Sequence, residues 1–118
     1  MPSTNEGPFT LTVPNAGTDS PALSTLLSVG QMKILNGSGR RLAVTAPATL
    51  TGTITIQVVP IEGSSTWTTL QVNGTDVTVA ASKTNFLPLS SWRDMRMHSS
   101  GAEGGARDFI LNFQVEVV

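Results

Sequence analysis

Apolar and polar side chains alternate through much of this chain with the two-residue period of a half-buried strand. In "RRLAVTA" the residues Leu42, Val44 and Ala46 share a face. In "TGTITIQVV" Ile54, Ile56 and Val58 share one, while Thr53, Thr55 and Gln57 take the other. The clearest alternation is "RDFILNFQVEVV", where Phe109, Leu111, Phe113, Val115 and Val117 oppose Ile110, Asn112, Gln114 and Glu116. "SWRDMRMHSS" sets Trp92, Asp94, Arg96 and His98 against Met95 and Met97.

Punctuation between these runs predicts turns and edges. Pro60 and Gly63 close the strand at Ile54, because proline cannot donate to a ladder and glycine adopts dihedrals other residues avoid. Asn73-Gly74 joins "STWTTLQV" to "TDVTVAA", with Val77 and Val79 on a face, by the strongest two-residue hairpin signal. "TNFLPL" contains Pro88 and predicts an edge strand or a crossing. In "SPALSTLLSVGQMKILN", Ser20 is a possible helix cap, but Ser24, Thr25, Ser28 and Gly30 are poor helix formers. The segment predicts a strand or one helical turn, then a strand at Met32 to Leu35 and a turn from Asn36-Gly37.

The first twenty-two residues hold Pro2, Gly7, Pro8, Pro14, Gly17 and Pro21, which excludes helix, while Phe9, Leu11 and Val13 alternate with Thr10 and Thr12. They are expected to form an extended N-terminal arm, residues 1–22, carrying one short strand. Residues 23–118 are expected to form the domain proper. About seven or eight short strands without a convincing helix predict an all-β fold, an antiparallel β-sandwich or jelly roll in a single domain. The predicted core is Leu42, Val44, Ile54, Ile56, Val58, Val77, Val79, Met95, Met97, Phe109, Leu111, Phe113 and Val115.

Composition narrows the function. Charged residues make up 13% of the 118, about half the share in ordinary soluble domains. Few repelling charges, many hydroxyls and 39% apolar residues suit a surface covered by neighbours in an assembly, and self-association as a homo-oligomer, trimer or dimer, is expected. A net charge of -1 with scattered Lys and Arg argues against direct nucleic-acid binding, Arg40-Arg41 being the one doublet. No apolar run is long enough to cross a bilayer as a helix, no signal peptide is read at the start, and no membrane partner is expected. Cysteine is absent, so disulfides and thiolate metal sites are excluded.

Candidate chemistry is sparse. His98 has Asp94, Ser99 and Ser100 near it in sequence, but no G-x-S-x-G pattern accompanies them, and a strand-end histidine at solvent or a subunit boundary is the simpler reading. One histidine and dispersed carboxylates, with no D-x-D-x-D-G loop, give no metal site, and no cofactor is expected. The glycines at 37 and 39 and at 101 to 105 are read as turns, as are the sequons at Asn36 and Asn73. Trp67 and Trp92 fit either a platform for sugar rings or anchors in the core or a subunit contact; the second reading is preferred. No enzymatic activity is expected.

From Leu50 to the end, "LTGTITIQVVPIEGSSTWTTLQ", "DVTVAASK", "RMHSSGAE" and "RDF" together resemble small virion structural proteins of tailed bacteriophages. The residues that carry the likeness are Thr51 to Ile56, Ser64 to Leu70, Asp76 to Lys83, Arg96 to Glu103 and Arg107 to Phe109. The resemblance implies a capsid decoration (cement) protein or a small tail or adaptor component, with no diagnostic residue separating head from tail. For a decoration protein it implies synthesis in the host cytoplasm, a place on the outer capsid surface of the virion, and the major capsid protein as partner. Lattice or subunit contacts are then expected from the arm, through Phe9, Leu11 and Val13, and from Arg40, Arg41, Trp67 and Trp92. The competing expectation is a surface module that binds host glycans through Trp67 or Trp92.

Overall fold

A computed structural model describes residues 3–27, 40–59, 66–88 and 94–116. The strand at Met32 to Leu35, the turn at Asn36-Gly37, the stop at Pro60 and Gly63, and Trp92 lie outside these residues. Among the described residues the chain is all-β, with one short 3₁₀ turn, η1 (Leu23–Thr25). Its strands are β1 (Ser3–Val13), β2 (Arg40–Thr45), β3 (Ile54–Val59), β4 (Thr68–Thr69), β5 (Gln71–Val72), β6 (Thr75–Asp76), β7 (Thr78–Val79), β8 (Thr84–Pro88), β9 (Asp94–Ser99) and β10 (Arg107–Glu116). Every ladder is antiparallel.

The first sheet has the order β1-β10-β2-β8. Its inner face follows from the alternation in each strand: Leu11 lies opposite Phe109, Leu111 opposite Val44, and Phe113 and Leu87 both opposite Leu42. All of these side chains are buried. Phe9 packs edge-on to Phe113, with ring centroids 6.0 Å apart. The second sheet is built around β3, which pairs along its whole length with β9. A strand has two edges, so β4 and β7 share the other one, β4 at Gln57 and Val58 and β7 at Ile54 and Thr55. Ile54, Ile56, Val58, Met95, Met97 and Val79 point inward from this sheet and join the first sheet's inner face in one continuous core.

Between β4 and β7 the chain makes a small separate hairpin, β5 to β6. Asn73 and Gly74 both have positive φ, 54° and 79°, as the two-residue turn predicted from Asn-Gly requires. β8 is an edge strand ending at Pro88, also as expected.

Two expectations need correction. Of the expected arm, residues 3–22 are described, and they are not separate from the domain: β1 is a strand of the first sheet, and Leu11 and Val13 are 1% and 0% exposed within the common core. Pro8 is compatible with this strand. It falls at the β-bulge between Glu6 and Phe9, on a strand with one ladder neighbour, where a missing N–H costs little. The core also exceeds the predicted list, taking in Leu23, Leu27, Ala46 and Leu87 besides Leu11 and Val13. The connector after β1 explains Leu23 and Leu27. Ser20 N donates to Met97 O at 3.0 Å and Ser99 N donates to Thr18 O at 2.7 Å, so residues 18–20 pair along the free edge of β9 and carry η1 onto the core.

Candidate functional site

Three places concentrate polar or exposed groups. The first is the outer face of the second sheet. Alternation in β9 sends Met95, Met97 and Ser99 inward and Asp94, Arg96 and His98 outward. Arg96 is engaged on several sides: its Nε donates to Gln57 Oε1 at 2.7 Å, its Cζ lies 4.5 Å from the centroid of the Trp67 ring, and Nη2 is 3.8 Å from Asp19 Oδ2. The other carboxylate oxygen of Asp19 is 2.6 Å from His98 Nδ1. Asp94 accepts bonds from the backbone N–H of Ser24 at 3.0 Å and from its hydroxyl at 2.5 Å. Each contact ties a neighbouring segment to β9. The connector is held through Asp19 and Ser24, β3 through Gln57, and the approach to β4 through Trp67.

This arrangement takes apart the Asp94, His98 and Ser99 grouping suggested by the sequence. Ser99 faces the interior, where its hydroxyl donates to Glu103 Oε2 at 2.7 Å, and the carboxylate beside His98 is Asp19. Trp67, half-buried, has the Arg96 guanidinium over one ring face, a cation–π contact that covers the surface a sugar ring would use there. The geometry makes Trp67 a packing anchor on this face.

The second place is interior. Glu103 is 1% exposed and sits in the glycine-rich loop before β10. Its carboxylate accepts bonds from the backbone N–H groups of Thr51 and Gly52, both at 2.8 Å, from Ser99 Oγ, and from Arg107 Nε at 2.9 Å. Burial opposes its ionisation, but these four donors outweigh burial and lower its pKa from 4.5 to about 2. The backbone of Glu103 also bonds to Ala16 and Gly17. One side chain therefore fixes the β2–β3 loop, the end of β9 and the start of β10, and its own backbone holds the connector from β1. Sequence reasoning placed Glu103 among the dispersed carboxylates and saw turns in the glycines around it. The one hint was Arg107 four residues on, a spacing as common in solvated pairs.

The third place is the outer face of the first sheet. Thr10, Thr12, Asp108, Ile110, Asn112, Ala43, Thr45 and Thr84 form a largely hydroxylated, weakly charged surface, and Phe86 stands on it 72% exposed, directly opposite Ala43. Arg41 is on the same face of β2, exposed and opposite Pro88, while Arg40 opposes Val115 at the strand's start.

The residues expected to make contacts thus fall in different places. Leu11 and Val13 are core residues, so the expectation that they meet a lattice is corrected by their burial. Phe9 is partly buried against Phe113, Arg41 belongs to the first sheet's outer face, and Trp67 to the second sheet's. Phe86, absent from the sequence-derived set, is the most exposed of the large apolar side chains described; only Leu26, at 47%, and Val72, at 39%, accompany it. Its alternation with Leu87 was legible, but an apolar residue on each side of a strand gave no sign of which faced solvent. Among the described residues no group of three or more His, Asp and Glu side chains could hold a metal ion, and no helix is long and apolar enough to cross a membrane. No protein-family model, curated protein or solved structure matches the chain.

Proposed function

We propose that this is a non-enzymatic virion structural protein of a tailed bacteriophage, a capsid decoration protein that binds the major capsid protein lattice from outside and stabilises it through surface contact. The sequence resemblance from Leu50 onward supports this reading, and so does the low charge of the chain. The observation that carries it is Phe86. An aromatic ring 72% exposed on a sheet face with several threonines has the character of an interface anchor, since aromatic residues dominate binding energy at the dry centres of contacts. The hydroxyls around it lose little on being covered, because they can exchange water for a partner's backbone groups. Arg41, on the same face, would lie toward a polar rim.

The test is binding to undecorated capsid shells by co-sedimentation. Saturable binding by the native protein, weakened about tenfold or more in Phe86→Ser, is the expected result, since truncating a central aromatic anchor typically costs about 2 kcal/mol or more. No binding by the native protein would overturn the assignment. Equal binding by Phe86→Ser would move the contact to another face.

A further inference from the structure

We infer that β1 is an exchangeable strand: a second copy of this chain can supply its own Ser3–Val13 to β10, and the reciprocal exchange closes a two-fold dimer. This inference stands apart from the virion assignment and concerns only how copies of the chain meet.

The argument starts from topology. β1 is at the edge of the first sheet, and β10 is its one ladder neighbour there. The contacts it makes are of a kind a second copy reproduces without change. They comprise the ladder from Ser3 opposite Glu116 to Val13 opposite Arg107, the seating of Leu11 and Val13 in the core, and the bond from Thr12 Oγ1 to Asp108 Oδ1 at 2.7 Å. Exchange therefore alters the hinge and leaves the rest of each fold intact.

The hinge is short and strained. Pro14 to Gly17 is a tight turn closed by the bond from Gly17 N to Pro14 O at 2.9 Å. Its third residue, Ala16, is held at a φ of 63°, in the left-handed region where glycine or asparagine is favoured and alanine is disfavoured. The turn is also crowded. A Cβ on Gly17 would fall 2.6 Å from Pro14 Cγ. Just beyond it, residues 18–20 are fixed to the edge of β9, and Gly17 O accepts from Glu103 N at 3.0 Å, so release is confined to residues 14–16 and gives up the bond from Ala16 N to Glu103 O at 2.8 Å. Opening the turn frees Ala16 from its strained φ, and Pro14 is already suited to an extended linker. A short hinge under strain at the root of an edge strand is the arrangement that favours exchange at high concentration.

The absence of cysteine makes the test direct. Thr12 and Asp108 face each other on the outside of the sheet, so Thr12→Cys with Asp108→Cys can be joined by a disulfide across β1 and β10. The double variant is refolded at high concentration and after strong dilution, oxidised, and run on a denaturing gel without reductant, with each single variant as the collision control. The expected result is a main band shifted from monomer to dimer at high concentration, beyond the single-variant background, and an internally linked monomer after dilution. A monomer band at every concentration would overturn the inference. Thr10→Cys with Ile110→Cys, also directly opposed, provides a second pair should the first disturb folding. Ala16→Gly relieves the hinge and is expected to reduce the dimer fraction; an unchanged fraction would overturn the strained hinge as its cause.

Discussion

Glu103 and Gly52 lie 51 positions apart in sequence, yet the carboxylate of one accepts the backbone N–H of the other at 2.8 Å. That bond, with those from Thr51, Ser99 and Arg107, keeps a buried glutamate ionised. Its pKa in the folded protein, about 2, is below the ordinary 4.5, so its contribution to stability is complete above about pH 4.5 and is lost as pH falls toward 2. The contribution is about 3 kcal/mol. Urea denaturation from pH 7 to pH 2 should show the native protein losing about that much more stability than Glu103→Gln, which has no carboxylate to protonate. Parallel pH profiles for the two would refute the assignment. At neutral pH Glu103→Ala should be destabilised by about 3–5 kcal/mol, because Arg107 and the backbone donors lose their acceptor.

Gly52 and Gly74 should respond to alanine for different reasons. A Cβ on Gly52 would collide with Ser99 Oγ and approach the backbone N of Gly101 to 3.0 Å, disturbing the groups around Glu103. Gly52→Ala is expected to cost about 1–3 kcal/mol, measured as a lower urea midpoint. Gly74 has open space around it but a φ of 79°, so Gly74→Ala should cost about 1 kcal/mol of strain in a hairpin outside both main sheets. If Gly52→Ala were as mild as Gly74→Ala, the packing at Ser99 would be looser than described.

Leu11→Ala should destabilise the whole domain by about 2–5 kcal/mol, the cost of emptying a fully buried leucine site. Removing residues 1–14 should abolish the cooperative melt. A truncated protein that still melted cooperatively near the native temperature would show that β1 is not needed for the rest of the domain to fold.

Trp67→Ala should cost about 1 kcal/mol, since it removes the ring beneath the Arg96 guanidinium while leaving the bond to Gln57 in place. A glycan array with the native protein checks the alternative role of this residue. Saturable sugar binding lost in Trp67→Ala would show that Arg96 moves off the ring to admit a ligand.

Alternation alone made much of the inner surface legible: Leu42, Val44, Ile54, Ile56, Phe109 and Leu111 were assigned from period, and burial follows it. Asn73-Gly74 was equally plain, because the backbone conformation it favours is local. What escaped was non-local. The four donors to Glu103 come from one loop and two strands, and no spacing in the chain announces that they converge. The prolines near the start implied an arm, since their compatibility with an edge strand depends on a partner at the far end of the chain. His98 and Ser99 are adjacent in sequence, but the alternation that builds β9 turns one outward and the other inward.

The pairing of β1 with β10 has a consequence for the timing of synthesis. Leu11 meets Phe109, and the other flank of β10 joins Leu42 and Val44 to the same sheet. Until the ribosome has delivered residues 107–116, both flanks lack the strand that joins them, and the first sheet cannot close. Early-made apolar side chains therefore wait for late-made ones, a high-contact-order route that folds slowly and exposes sticky strand edges meanwhile. The outward faces, where threonine recurs and Phe86 is the one large apolar side chain described as mostly exposed, limit what those waiting strands can adhere to.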